Sequence, residues 1–323
     1  MIKQLAFVFP GQGSQSVGML ADLAVRFPSI LETFAEASEG ASVDLWQISQ
    51  NNPDEQLNQT EFTQPALLAA NIALWRLWQA EGGAQPTMLC GHSLGEYAAL
   101  VAAGALSLKD GAHLVRQRGQ FMQAAVPAGV GAMAAVLGAE DAQVAQVCMQ
   151  VSQAEAVVVP ANFNSSGQIV IGGHAVAVDR AIEALQALGI RKIVKLPVSV
   201  PSHTPLMRDA AEQLRTAIGS VEWQMPDRTV IHNVDARAKQ SVADIQQALV
   251  DQLYLPVQWT QCTQALSASG VRHAVECGPG KVLSGLIKRI DKASGFSGMA
   301  TDRGLSFFAP GKKRRFCGAK GDT

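Results

Sequence analysis

A serine set between glycines, in the run Cys90-Gly91-His92-Ser93-Leu94-Gly95-Glu96, constrains this chain more than any other stretch. Apolar Met88 and Leu89 precede the run and an alanine-rich helical pattern follows it, so Gly-x-Ser-x-Gly falls where a strand turns sharply into a helix. Such a turn crowds the backbone. The flanking positions therefore need glycine, and the serine hydroxyl is left exposed at the carboxyl edge of a sheet beside a helix N-terminus. That geometry serves acyl transfer through an acyl-serine, with Ser93 as nucleophile; a purely structural turn is the alternative for so short a pattern.

Strand and helix patterns alternate around this elbow, which predicts an α/β fold with a parallel sheet. Residues 5–9 read as a buried first strand, stopped by Pro10-Gly11 and too short for the apolar region of a signal peptide. The glycine-rich loop that follows resembles a dinucleotide fingerprint only superficially. Its third glycine is displaced to Gly18, and no Lys-Ser/Thr follows as a phosphate loop requires. Thr63-Gln64-Pro65 predicts a helix start with proline in the first turn, and Glu81-Gly82-Gly83 predicts its end.

Between 127 and 197 the elements shorten, in the order β (133–137), α (141–153), β (157–159), β (169–171), α (176–188), β (193–196). This matches the split βαβ, ferredoxin-like unit and predicts a small subdomain inserted into a large domain of residues 1–126 and 198–293. Residues 294–323 lose apolar periodicity and end near the basic run Lys312-Lys313-Arg314-Arg315, which predicts a disordered tail.

Composition narrows the partners. The chain has 323 residues, 48% hydrophobic and 16% charged, with a net charge of -1 that provides no global attraction to nucleic acid or an anionic membrane. Its five cysteines (Cys90, Cys148, Cys262, Cys277, Cys317) are scattered without a Cys-x-x-Cys pair. No histidine cluster has metal-ligand spacing, so a reduced cytoplasm and no metal or other cofactor are expected. The longest apolar stretch, 98–108, contains Gly104 and falls short of the ~18 residues of a membrane span.

A serine nucleophile needs a base within hydrogen-bond reach. His92 adjoins Ser93 on a turn where neighbouring side chains diverge, and His113, His174, His232 and His273 fall in helical or strand patterns. His203 differs. It lies in Val200-Pro201-Ser202-His203-Thr204-Pro205, where Thr204 is a candidate N-cap and Pro205 a first helical residue; the positive helix end would keep the imidazole neutral, as a base must be. An ordinary loop histidine is the other reading.

The N–H of Leu94, next after the nucleophile, is one candidate oxyanion donor, and the loop Gly11-Gln12-Gly13 is the natural source of a second unless it merely caps a helix. In the helical run after the elbow, ~100° per residue puts Arg118 on the same face as Leu114, Val115, Phe121 and Met122. A buried guanidinium requires an acid, and where the protein supplies none a ligand carboxylate is expected. An internal ion pair or an arginine reaching to the surface remains open on the residues alone.

These segments, together with Gln64-Pro65-Ala66, Arg118-Gly119, Asn233-Val234-Asp235, Pro256-Val257-Gln258-Trp259 and Gly278-Pro279-Gly280-Lys281, resemble the malonyl-CoA:acyl carrier protein transacylases of type II fatty-acid synthesis, from residue 1 to about residue 292. The resemblance implies a hydrolase-like large domain with the inserted ferredoxin-like subdomain, acting as a monomer. It implies a Ser93/His203 dyad with the histidine oriented by the backbone carbonyl of Gln252, and an oxyanion hole from Gln12 and Leu94. Arg118 would grip the malonyl carboxylate, with Gln64 and Asn164 as polar pocket positions.

The implied partners are malonyl-CoA and acyl carrier protein, and Lys281, Lys288 and Arg289 are candidates for docking the acidic carrier unless they are simply solvated. Residues 294–323 depart from the family pattern. A thioesterase passing the acyl group to water is the rival reading, and an inactive scaffold a third.

Overall fold

The computed structural model describes residues 5–198, 200–290 and 297–300, the last as backbone. Five strands form a parallel sheet in the order β7 (Thr229–Ile231), β2 (Met88–Gly91), β1 (Leu5–Phe9), β8 (His273–Glu276), β9 (Ser297–Ala300). Every residue of β1 is buried, as expected for a central parallel strand covered on both faces. Helix Thr60–Ala80 packs on one face, where Phe7 meets the rings of Trp75 and Trp78 edge-on at 5.1 and 5.2 Å.

Helix Thr60–Ala80 starts earlier than Thr63-Gln64-Pro65 suggests, and Pro65 lies inside it. Gln59 is the extended residue before the helix, so the first turn is made by Thr60, Glu61 and Phe62. The tail expectation also changes at one point: Ser297–Ala300 pairs in parallel with β8, since Gly298 and Met299 occupy an open sheet edge that needs backbone partners more than side-chain periodicity. Residues 301–323, with the basic run, lie outside the described residues.

A second sheet is antiparallel, in the order β4 (Val158–Ser165), β5 (Gln168–His174), β3 (Gly131–Leu137), β6 (Lys192–Lys195). Its alternation sorts the side chains. Ala134, Val136, Ile169 and Ile171 face helices Asp141–Val151 and Ala175–Ala187, while Met133 and Val170 turn to the other face with Leu196 and Val198. β4 runs well past residues 157–159 because Pro160 and the asparagines interrupt the apolar pattern without interrupting the ladder, which shifts register beside Asn162 and Ser165. Main-chain bonds Val257 N–H to Ala161 O and Phe163 N–H to Val257 O, both 2.9 Å, tie this sheet to the rest. No helix among the described residues is long and apolar enough to cross a membrane.

Candidate active site

β1 and β2 run parallel and adjacent, so the loops that leave their carboxyl ends meet at one sheet edge. The elbow is sterically determined. A Cβ on Gly91 would lie 1.8 Å from the carbonyl carbon of Gly95, and one on Gly95 would lie 1.9 Å from the oxygen of Phe9. Ser93 itself adopts φ +51°, a left-handed conformation costing about 1–3 kcal/mol for a non-glycine residue, which persists only where the surroundings over-determine it.

Two amides do so. The Ser93 N–H donates to Oδ1 of Asn233 at 2.7 Å, and Nε2 of Gln252 donates to the Ser93 carbonyl at 3.1 Å. Asn233 is fixed in turn through Nδ2 donating to the Gly91 oxygen at 2.7 Å.

The Ser93 hydroxyl lies 2.8 Å from Nε2 of His203, whose Nδ1 lies 2.6 Å from the main-chain oxygen of Gln252. A carbonyl oxygen can only accept, so Nδ1 carries the proton and Nε2 is free to take one from Ser93. Burial, and next the positive Arg118, pull the His203 pKa down to about 3, so the ring is neutral. The helix end plays a smaller part than the sequence suggests. Thr204 precedes a short 3-10 turn, Pro205–Met207, but its hydroxyl donates to the Pro201 oxygen at 2.7 Å and caps nothing. His203 is also left-handed, at φ +62°, and its N–H is held by the Leu253 oxygen at 2.9 Å.

Arg118 is 1% exposed, on helix Leu108–Ala124. Gly119 allows that helix to cross Thr60–Ala80 closely, since a Cβ there would lie 2.5 Å from the Cα of Glu61, and the crossing sets Arg118 beside Gln64. Its nitrogens donate to Oε1 of Gln64 at 2.7 Å, Oε1 of Gln252 at 3.0 Å and the Ser93 hydroxyl at 3.3 Å. Among the described residues no carboxylate comes within ion-pair distance of it. Burial lowers its pKa from the usual arginine value. A desolvated cation held by neutral amide oxygens beside a serine hydroxyl has the charge and geometry to receive an anionic group.

Gln12, Ser93, Leu94, Arg118 and His203 line one cavity of about 140 Å³. Gln12 is steadied by its side-chain amide donating to the Thr60 hydroxyl at 3.3 Å. Gln64 and Gln252 stand behind Arg118 rather than on the cavity wall. Asn164 does not line the cavity either. Its Oδ1 lies 2.8 Å from Nε2 of His92, a half-buried ring packed against Trp259 whose pKa desolvation lowers, and Asn162 on the same strand supplies the polar wall instead. The register shift between Phe163 and Ser165 redirects the strand at this point. Lys281, Lys288 and Arg289 are exposed at and just before helix Val282–Ile290, where Arg289 reaches Gln168 of β5 at 2.6 Å. A larger cavity of about 680 Å³, beside Thr87, Arg228 and Thr229 before β2 and β7, is lined by His232 but by no serine.

Asn233, Glu96 and His232 take part in the site without having been singled out as site residues. Asn233 stood in a motif without a role, and Glu96 only closed the elbow run; a polar residue directly after the β7 strand was the available signal.

The fold and this serine–histidine–arginine cavity define an acyltransferase, and the acyl transferase domain family matches residues 6–299. A malonyl CoA-acyl carrier protein transacylase of Salmonella typhimurium is 52% identical over 287 residues, covering 89% of this chain and 93% of that protein, and one of Bacillus subtilis is 43% identical over 291 residues, covering 90% and 92%. The crystal structure of a malonyl-CoA:acyl carrier protein transacylase from Xanthomonas oryzae superposes with a TM-score of 0.90 at 67% identity, covering 92% of this chain and 94% of that one. A malonyl-transacylase solved in complex with a type II PKS acyl-carrier protein gives 0.88 at 48% identity, covering 92% and 95%. The chain belongs to the family of malonyl CoA-acyl carrier protein transacylases.

Proposed function

We propose that this protein transfers the malonyl group of malonyl-CoA to the phosphopantetheine thiol of acyl carrier protein, by a ping-pong reaction through malonyl-Ser93. Ser93 attacks the thioester while Nε2 of His203, 2.8 Å away, takes its proton. The tetrahedral oxyanion is received by the N–H groups of Leu94 and Gln12, both on the cavity wall. The proton returns to the sulfur, CoA leaves, and the carrier thiol repeats the sequence in reverse with His203 as its base. Throughout, Arg118 holds the malonyl carboxylate.

The observation that carries this reading is Arg118: a buried guanidinium 3.3 Å from the Ser93 hydroxyl, held by two amide oxygens and set over the Tyr97 ring with no carboxylate in ion-pair distance among the described residues, favours a carboxylated acyl group over a plain one. In the same reading the antiparallel sheet is a ferredoxin-like subdomain inserted into a hydrolase-like large domain, supported by its strand order and by its own two helices packing on one face. The partition of malonyl-Ser93 between carrier protein and water tests the function. Malonyl carrier protein as the main product supports it, and free malonate at an unchanged rate with carrier present contradicts it.

A further inference from the structure

Beneath the elbow lies a buried polar cluster whose members do not face the cavity. Glu96, in the first turn of helix Gly95–Ala102, is 0% exposed. Its Oε2 accepts from the main-chain N–H of Asn233 at 2.9 Å and from Nε2 of Gln252 at 2.8 Å, and its Oε1 lies 2.7 Å from Nδ1 of His232. The two groups on Oε2 are the ones that shape the site. Asn233 holds the Ser93 N–H; Gln252 holds the Ser93 carbonyl, the Arg118 guanidinium and, through its main chain, His203. Neither amide can turn over. The Ser93 N–H and the Arg118 guanidinium only donate, so each amide oxygen must face them and each amide nitrogen must face an acceptor.

We infer that Glu96 is a positioning residue for acyl transfer, acting through Gln252 and Asn233 on the left-handed backbone of Ser93 and on the orientation of His203. The acid that a serine–histidine–acid triad sets directly on the imidazole stands here one side chain further back, joined to the ring through Gln252. One carboxylate oxygen can take both short hydrogen bonds because it has two acceptor sites. Without it two buried donors lose their partner, and the peptide that fixes Ser93 is free to relax out of φ +51°.

The inference rests on the acyl-serine reading, and single-turnover malonylation of Ser93 in the full chain separates the two. Glu96→Asp keeps the carboxyl group but stops one methylene short of Gln252; displacements of this size slow positioned chemistry by about 10- to 100-fold, and that loss is expected for malonyl and acetyl groups alike, with the melting curve still cooperative. Glu96→Ser, which admits water to the freed donors, carries the same expectation if the aspartate variant does not fold. Glu96→Gln can turn its oxygen to Asn233 and Gln252 and its NH2 to His232, so it should recover most of the rate. A merely structural glutamate would lower the melting temperature of these variants without a matching loss of acylation rate. Folded Glu96→Asp or Glu96→Ser protein that acylates at the wild-type rate overturns the positioning role alone; wild-type protein that takes no malonyl group overturns the acyl-serine reading and this role with it.

Discussion

The main-chain oxygen of Gln252 lies 2.6 Å from Nδ1 of His203, where a serine–histidine–acid triad would hold a carboxylate. A carbonyl fixes the tautomer but adds no negative charge, so burial and Arg118 decide the ionisation of the ring and hold its pKa at about 3. The sign follows. The folded-state value lies below the unfolded value of about 6.5, so the native ring stays unprotonated as pH falls through that window, while protonation of the unfolded chain costs the fold stability there. The rate of Ser93 malonylation should therefore hold level from pH 8 to about pH 5 in a pH-jump quenched-flow series, and His203→Ala should be slower by about 10²- to 10⁴-fold throughout. A fall in rate centred near 6.5 would show a ring that titrates normally.

Gly95 packs its bare Cα side against the Phe9 carbonyl, where a Cβ would lie 1.9 Å from the oxygen. Gly95→Ala must therefore push apart the fully buried β1 and the helix that follows the elbow, all of it buried but Val101. A loss of about 1–3 kcal/mol or more in urea unfolding is expected, together with lost acylation. An alanine variant as stable and as active as wild type would mean that the elbow has slack.

If Arg118 holds the malonyl carboxylate as proposed, Arg118→Ala removes the partner of that carboxylate. Losing one partner of such a desolvated pair typically costs about 2–5 kcal/mol, so malonyl transfer should fall by a factor of roughly 30 to several thousand. Acetyl transfer has no carboxylate for Arg118 to hold and should fall less, raising the acetyl-to-malonyl ratio. Competition between the two CoA esters reads that ratio directly. Equal loss of both would make Arg118 structural.

Much of this was legible in the sequence, and what was not has physical reasons. The elbow could be read because steric crowding admits only glycine at 91 and 95, and Arg118 because helical phase alone fixes the face it shares with Leu114 and Met122. Asn233, Glu96 and His232 were opaque: Glu96 lies 136 positions before His232 and 137 before Asn233, only the sheet brings them together, and no local periodicity records such a contact. Thr204 was misleading for the opposite reason, since a local cap and a bond back to Pro201 require the same residue type. Asn164 was displaced from the wall by an irregular register in β4 that no pattern in its residues announces.

Lys281 and Lys288 are exposed and seven positions apart, which for a continuing helix is one face, and Arg289 adjoins them. If they dock the acidic carrier protein, reversing the three charges should raise the KM for the carrier and flatten its salt dependence, while malonylation of Ser93 by malonyl-CoA stays unchanged. Equal effects on both half-reactions would remove the docking role.

The most direct test of the account is to mix the protein with malonyl-CoA in the absence of carrier, digest it, and locate the adduct by mass spectrometry. The account predicts a malonyl ester on the peptide carrying Ser93, absent from Ser93→Ala protein and discharged when holo acyl carrier protein is added. A malonyl group that maps to another residue, or that survives Ser93→Ala, contradicts it.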